Sequence, residues 1–127
     1  MREPGWLIRL DDMLECARLV TEYTGHLSKE EFVASRLTID AVLHNLIIII
    51  GEGASRIPAD VKLRLPQVSW QKVQGMRNRL VHDYFSADLA IVWQTTTEDI
   101  PDLLSVLPTL IASETERMRK HDNPGST

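Results

Sequence analysis

Apolar residues recur at intervals of three and four along almost the whole chain, and no segment sustains the every-second-residue alternation of a half-buried strand. That pattern confines the chain to helices packed on helices, an all-α bundle. Trp6, Leu10, Leu14, Ala17 and either Val20 or Thr21 mark one stripe of a first helix over about residues 6–25, with Gly25 as a stop. Ser28-Lys29-Glu30-Glu31 reads as a capping box, in which Ser28 accepts from the backbone three residues on and Glu31 reaches back. A long second helix is expected over about 29–53. It contains Leu46-Ile47-Ile48-Ile49-Ile50, apolar on every face and therefore covered on every side. Either other helices of the same chain cover that run or a second subunit does.

Gly51 and Gly53 weaken the end of that helix, and Pro58 and Pro66 bracket a connector with a short helix near Asp60–Leu65. Ser69 is placed to cap a third helix from Trp70 to about Tyr84. Ser86 or Asp88 begins another, carrying Leu89, Ile91, Val92 and Trp93. Thr95-Thr96-Thr97 makes a poor helix interior and Pro101 suits a first turn, so a break is expected there. A last helix then starts near Asp99 and ends about Arg119. The expected organisation is one domain over 1–120, a bundle of about five helices, with a flexible tail over 121–127 that holds Pro124 and Gly125.

The length of 127 residues suits one domain, and 43% hydrophobic with 25% charged residues is ordinary for a globular protein. The single cysteine, Cys16, allows no internal disulfide and favours a reducing, cytoplasmic setting. The N-terminus lacks a signal-peptide core, and the longest aliphatic run is too short to span a membrane. Net charge is −4, yet Arg56, Lys62, Arg64, Lys72, Arg77 and Arg79 face only Asp60 between residues 56 and 82. A basic centre in an acidic chain fits a local phosphate site, but charge alone fits a solvated charge cluster better.

Chemistry concentrates in Arg77-Asn78-Arg79-Leu80-Val81-His82-Asp83-Tyr84. A histidine titrates near neutrality and can move a proton to or from a ribose 2′-hydroxyl or a leaving 5′-oxygen. An arginine offers a fork of donors to phosphate and to the charge that builds on it. Asn78 lies four residues before His82, on one helical stripe, and can orient the imidazole. Arg77 shares the neighbouring stripe with Val81 and Tyr84, and stands about 140° around an ideal helix from His82. A straight helix does not bring the two together. The long arginine stem, a loosened turn near His82 or a second copy in a symmetric dimer could close the gap. Taken alone, an arginine and a histidine at this spacing are more often a solvated pair than a catalytic one.

The surroundings add to the pattern. Arg77-x4-His82-x-Tyr84 sits in an ordered series: Tyr23-Thr24-Gly25, Glu31-Phe32, Ile50-Gly51-Glu52-Gly53, Pro66 before Trp70, Met76-Arg77-Asn78, Tyr84-Phe85 and Val92-Trp93. Over about residues 7–110 this series resembles the HepT-like toxins of the HEPN superfamily. The resemblance implies a dimerising HEPN-type helical bundle, with two motif copies meeting at a cleft. It implies a metal-independent RNA endonuclease with no cofactor, acting as the toxin of a toxin–antitoxin pair. Arg77, His82 and Asn78 would be catalytic, and Tyr84 would be the target of AMPylation by an MntA-like nucleotidyltransferase antitoxin. An adenylate on Tyr84 would put a phosphate and bulk where the RNA phosphate should sit. Gly53 departs from the alanine that many relatives carry, and leaves the motif intact.

Other residues are less decided. Glu52 either lines the cleft or holds Arg77, or else is a solvated helix end. Arg79 adds a second guanidinium beside the motif that could support the cleft, though such a residue is more often a surface charge. His26, His44 and His121 show no metal-ligand spacing with one another or with Cys16. Trp6, Trp70 and Trp93 are expected to pack rather than to stack bases. No glycine-rich phosphate loop is present. A different class of function also fits: a non-catalytic helical module that docks a nucleotidyltransferase partner and is modified by it.

Overall fold

The computed structural model describes residues 4–75 and 88–122, apart from the side chains of residues 50–52 and 122. Pro4, in an extended conformation, opens α1 (Gly5–Thr24). Leu7, Leu10, Met13, Leu14, Ala17 and Val20 are buried along one face at three- and four-residue spacing. Val20, rather than Thr21, completes the stripe, and Leu7 takes the buried place expected of Trp6, which is half-buried. The helix stops at Gly25 as expected, but without a left-handed cap. Gly25 keeps a right-handed φ of −62°, and a Cβ there would come within 2.8 Å of the Thr21 carbonyl oxygen.

The capping box forms at α2 (Lys29–Val33). The Glu31 amide donates to Ser28 Oγ at 3.1 Å, and the Ser28 amide donates to Glu31 Oε1 at 2.9 Å. The single helix expected over 29–53 is divided. α2 ends at Val33, and Ser35, extended at φ −111°, caps α3 (Arg36–Ile47) by accepting the Thr38 amide at 3.3 Å. A second serine able to satisfy a free helix start lets the chain turn there. The turn carries Phe32 fully into the core, with its ring centroid 5.3 Å from that of Trp93.

From Ile48 to Ala54 the helix widens into a π-helical segment. Leu46 and Ile49 are buried, whereas Ile47 and Ile48 are only half-buried by the chain itself. Gly53 lies so close to α1 that a Cβ would collide with the Met13 side chain. The chain thus has methionine volume where an alanine methyl would otherwise stand.

Pro58 introduces α4 (Ala59–Arg64), close to the short helix expected there. Residues 70–75 are helical and are called α5; the Val73 amide donates to the Ser69 carbonyl at 3.0 Å. The expected continuation to Tyr84 lies outside the described residues, as does Ser86. Asp88 caps α6 (Leu89–Gln94), accepting the Ala90 amide at 2.9 Å.

The break expected at Thr95-Thr96-Thr97 does not occur. The chain stays helical through a π-helical turn, Thr95–Asp99, into α7 (Ile100–Asp122), which passes the expected end at Arg119. Each threonine hydroxyl donates to a carbonyl one turn back: Thr95 to Ile91 at 2.9 Å, and Thr96 and Thr97 to Trp93 at 2.7 and 3.1 Å. Such bonds satisfy the hydroxyls without leaving the helix. The widened turn also precedes Pro101, whose missing N–H and bulky ring would strain a regular helix.

α1 packs against α3, α7 and the first π-helical segment, and Leu10, Val20, Val42 and Leu107 are wholly covered. Arg64 ties α4 to α7 through a 2.9 Å ion pair with the buried Glu114, and its guanidinium stacks 5.8 Å from the Trp6 ring. No strand occurs among the described residues, so the all-α expectation holds. The helical pieces outnumber the expected five because Ser35 and the two π-helical turns subdivide the longer ones.

Candidate functional site

The sequence motif is bracketed by two well-placed arms. α5 precedes it and is described as far as Gly75, and α6 follows it, starting after Asp88. Arg77, Asn78, Arg79, His82 and Tyr84 themselves lie outside the described residues. Glu52 falls within the first π-helical segment, and its side chain is likewise outside them.

The first arm is held at its start by Trp70. Its indole N–H donates to the Leu65 carbonyl at 3.1 Å, and Lys62 sits 5.6 Å over its ring. Trp70 is half-buried and packs against the core. Farther along, Val73 is buried and Lys72 turns toward the other arm, where its Nζ meets Asp99 Oδ1 at 2.9 Å. That contact raises the Lys72 pKa, first through the hydrogen bond and then through the charge of Asp99. Asp99 is held in reach by the π-helical turn.

Between the arms lies an open cavity of about 230 Å³. Leu46, Ile49, Val73, Ile100 and Leu103 form an apolar floor; Ser69, Lys72, Asp99, Asp102 and Ser105 supply a polar rim. A second recess shares Lys72, Thr95 and Asp99 and adds Gly75, Ile91, Gln94 and Glu98. Among the described residues the rim is acidic, and its one ammonium is already paired. These described residues do not by themselves form the cluster of cations that a phosphate needs.

The basic window is also largely engaged. Arg64 and Lys72 are in ion pairs, Lys62 lies on Trp70, and Arg56 is exposed. Arg77 and Arg79 lie outside the described residues. Among the described residues, no three His, Cys, Asp or Glu side chains gather as a metal site would require, and no helix is long and apolar enough to cross a membrane. Cys16 is buried in α1, where burial first, and then Asp12 and Glu15, push its thiol pKa up, away from nucleophilic character.

Two contributors were missed by sequence reasoning. Lys72 counted only as one charge in a window, and Asp99 only as a helix start. They are 27 positions apart, and no local spacing signals their pairing.

An all-helical frame whose arms bracket an Arg-x4-His-x-Tyr motif defines a candidate phosphodiester-cleaving protein. The model of the "Ribonuclease HepT-like" family matches residues 13–110, and the chain belongs to that HEPN-type ribonuclease family. A protein named "Probable ribonuclease HepT" from Thermococcus cleftensis is 38% identical over 94 residues, covering 74% of this chain and 84% of the relative. One from Methanocaldococcus jannaschii named "Putative RNase MJ1380" is 36% identical over 94 residues, covering 74% and 85%. One from Caldanaerobacter subterraneus named "Putative RNase TTE0752" is 31% identical over 100 residues, covering 79% and 88%. No solved structure gives a significant match.

Proposed function

We propose that the chain is a metal-independent RNA endonuclease whose chemistry is carried by Arg77, Asn78 and His82. The observation that carries this reading is the family match over residues 13–110, which spans the whole motif. The reaction needs few parts. A ribose 2′-oxygen attacks the adjacent phosphorus, a new O–P bond forms, and the P–O5′ bond breaks. His82 takes the 2′-hydroxyl proton or delivers one to the departing 5′-oxygen. Arg77 holds the non-bridging oxygens as negative charge builds on them. Asn78 orients the imidazole. Glu52 and Arg79 are candidates for supporting the cleft. The products are a 2′,3′-cyclic phosphate, or its hydrolysis product, and a free 5′-hydroxyl.

A second copy of the chain completes the cleft in this reading. Its support is the half-covered pair Ile47 and Ile48, aliphatic surface that the chain itself leaves partly open. The biological role is that of a toxin restrained by a nucleotidyltransferase antitoxin. In that restraint, the Tyr84 hydroxyl attacks the α-phosphorus of ATP, a phosphodiester forms, and pyrophosphate leaves.

RNA incubated with the purified protein in EDTA tests the chemistry. Cleavage giving cyclic-phosphate and 5′-hydroxyl ends is expected; cleavage that needs added metal would overturn the assignment. Co-expression with an MntA-like nucleotidyltransferase tests the restraint. An adenylate mass gain that Tyr84→Phe abolishes is expected, and a gain that persists in Tyr84→Phe would remove Tyr84 from the role. The acidic cavity rim favours one rival reading, a non-catalytic docking module. Under it, expression of the chain alone leaves growth unimpaired, whereas the nuclease reading expects growth arrest.

A further inference from the structure

We infer that Lys72 and Asp99 are positioning residues for RNA cleavage: their ion pair locks together the two arms that flank the motif. This rests on the reading of Arg77–Tyr84 as the reacting segment. α5 leads into that segment, with Lys72 only five residues ahead of Arg77. α6 leads out of it, and the π-helical turn that follows presents Asp99. The pair closes at 2.9 Å, and among the described residues it is the ion pair that joins these arms. It also lies where the two recesses meet, since both are lined by Lys72, Thr95 and Asp99.

Burial is unequal: the Asp99 side chain is 21% exposed and that of Lys72 is 64% exposed. Asp99 is thus the more enclosed member of the pair and Lys72 the more exposed one. The rest of α5 is fastened at its far end, by Trp70 on the Leu65 carbonyl. Val73 is its buried apolar anchor on this side. An exposed pair of this kind adds little to stability. Its effect on a reacting segment can still be large, because small misplacements of catalytic groups cost rate steeply.

The pair also separates a positioning role from RNA contact. A lysine that touched RNA phosphate would act by its own charge, whatever stood at 99. A latch needs both members and tolerates their exchange.

The test measures single-turnover cleavage and RNA affinity for Lys72→Ala, Asp99→Ala and the exchange Lys72→Asp with Asp99→Lys, beside wild type and His82→Ala. Each single variant is expected to lose about tenfold in cleavage rate, within the range that misplacement can cost. RNA affinity should change by less than about twofold, as for an exposed pair that does not touch the substrate. Thermal unfolding should stay close to wild type. The exchange should restore most of the rate. Wild-type rates in both single variants would overturn the inference. So would loss in Lys72→Ala with gain in Asp99→Ala, the pattern of direct phosphate contact. The His82→Ala arm separates the two readings. If it is inactive while the latch variants are normal, only the latch fails; if it is fully active, the motif reading fails and the latch with it.

Discussion

The two sides of this molecule are built by different forces. On one side, α1 lies across α3 and α7, and fully covered residues such as Leu10, Val20, Val42 and Leu107 hold it together. On the other side, α5 and the α6–α7 arm flank an open cavity and are joined by the Lys72–Asp99 ion pair, while the Trp70 N–H fastens the start of α5 to the Leu65 carbonyl and the threonine hydroxyls bond carbonyls of their own helix. Burial is non-directional and sums over many contacts, so the first side resists heat. Directed polar contacts add little net stability but fix geometry, so in the proposed reading the second side sets where reacting groups stand. A bundle of this size can therefore keep its stability in one face and its chemistry at another.

That division can be broken in either direction. Arg77→Ala is expected to lower RNA cleavage by about 100- to 1,000-fold, the usual cost of removing a donor to developing charge. Its melting temperature should stay within a degree or two of wild type; a large fall in both would merge the two sides. Leu107→Ala does the reverse. It should cost about 2–5 kcal/mol in denaturant unfolding, as for other fully buried leucines. Its specific activity, measured well below its melting point, should remain near wild type.

Glu114→Ala probes the polar tie within the stable side. It leaves the Arg64 guanidinium without its 2.9 Å partner, and Arg64 Nε already has none. Because Arg64 keeps partial access to water and a contact with Asp60 at 3.6 Å, about 1–3 kcal/mol is expected, the cost of one unsatisfied buried group. Glu114→Gln should recover part of it.

The smallest effect belongs to the capping box. Ser28→Ala should cost about 1 kcal/mol. Glu31 has its pKa lowered, chiefly by the hydrogen bond from the Ser28 amide. A lowered folded pKa means that this contribution is full above the ordinary glutamate range and fades as pH falls through the folded value. The wild-type advantage over Glu31→Gln should therefore shrink in acid. An advantage constant from pH 7 to pH 3 would contradict the capping geometry.

The first side was also the legible one. The stripe of α1, the capping box and the short helix after Pro58 all follow from spacing and local chemistry. The departures have local causes that spacing cannot weigh. Ser35 competes with a continuous apolar pattern and wins because its hydroxyl supplies a new helix start. Thr95-Thr96-Thr97 looks like a break, because intrinsic preference disfavours threonine in helices. In place, the hydroxyls find carbonyls, and the π-helical turn makes room before Pro101. Gly53 looks like a weakness until Met13 fills the space beside it. The motif Arg77–Tyr84 was visible as a pattern of residue types in order. The Lys72–Asp99 pair was invisible, because it exists only once two distant arms are folded together.

The most direct measurement is single-turnover RNA cleavage in EDTA by His82→Ala, purified beside wild type and matched in helical content and melting temperature. Loss of cleavage by at least about 100-fold is expected, the lower bound for removing a general acid–base group. Full cleavage by a folded His82→Ala protein would contradict the central claim that the segment between the two arms carries the chemistry.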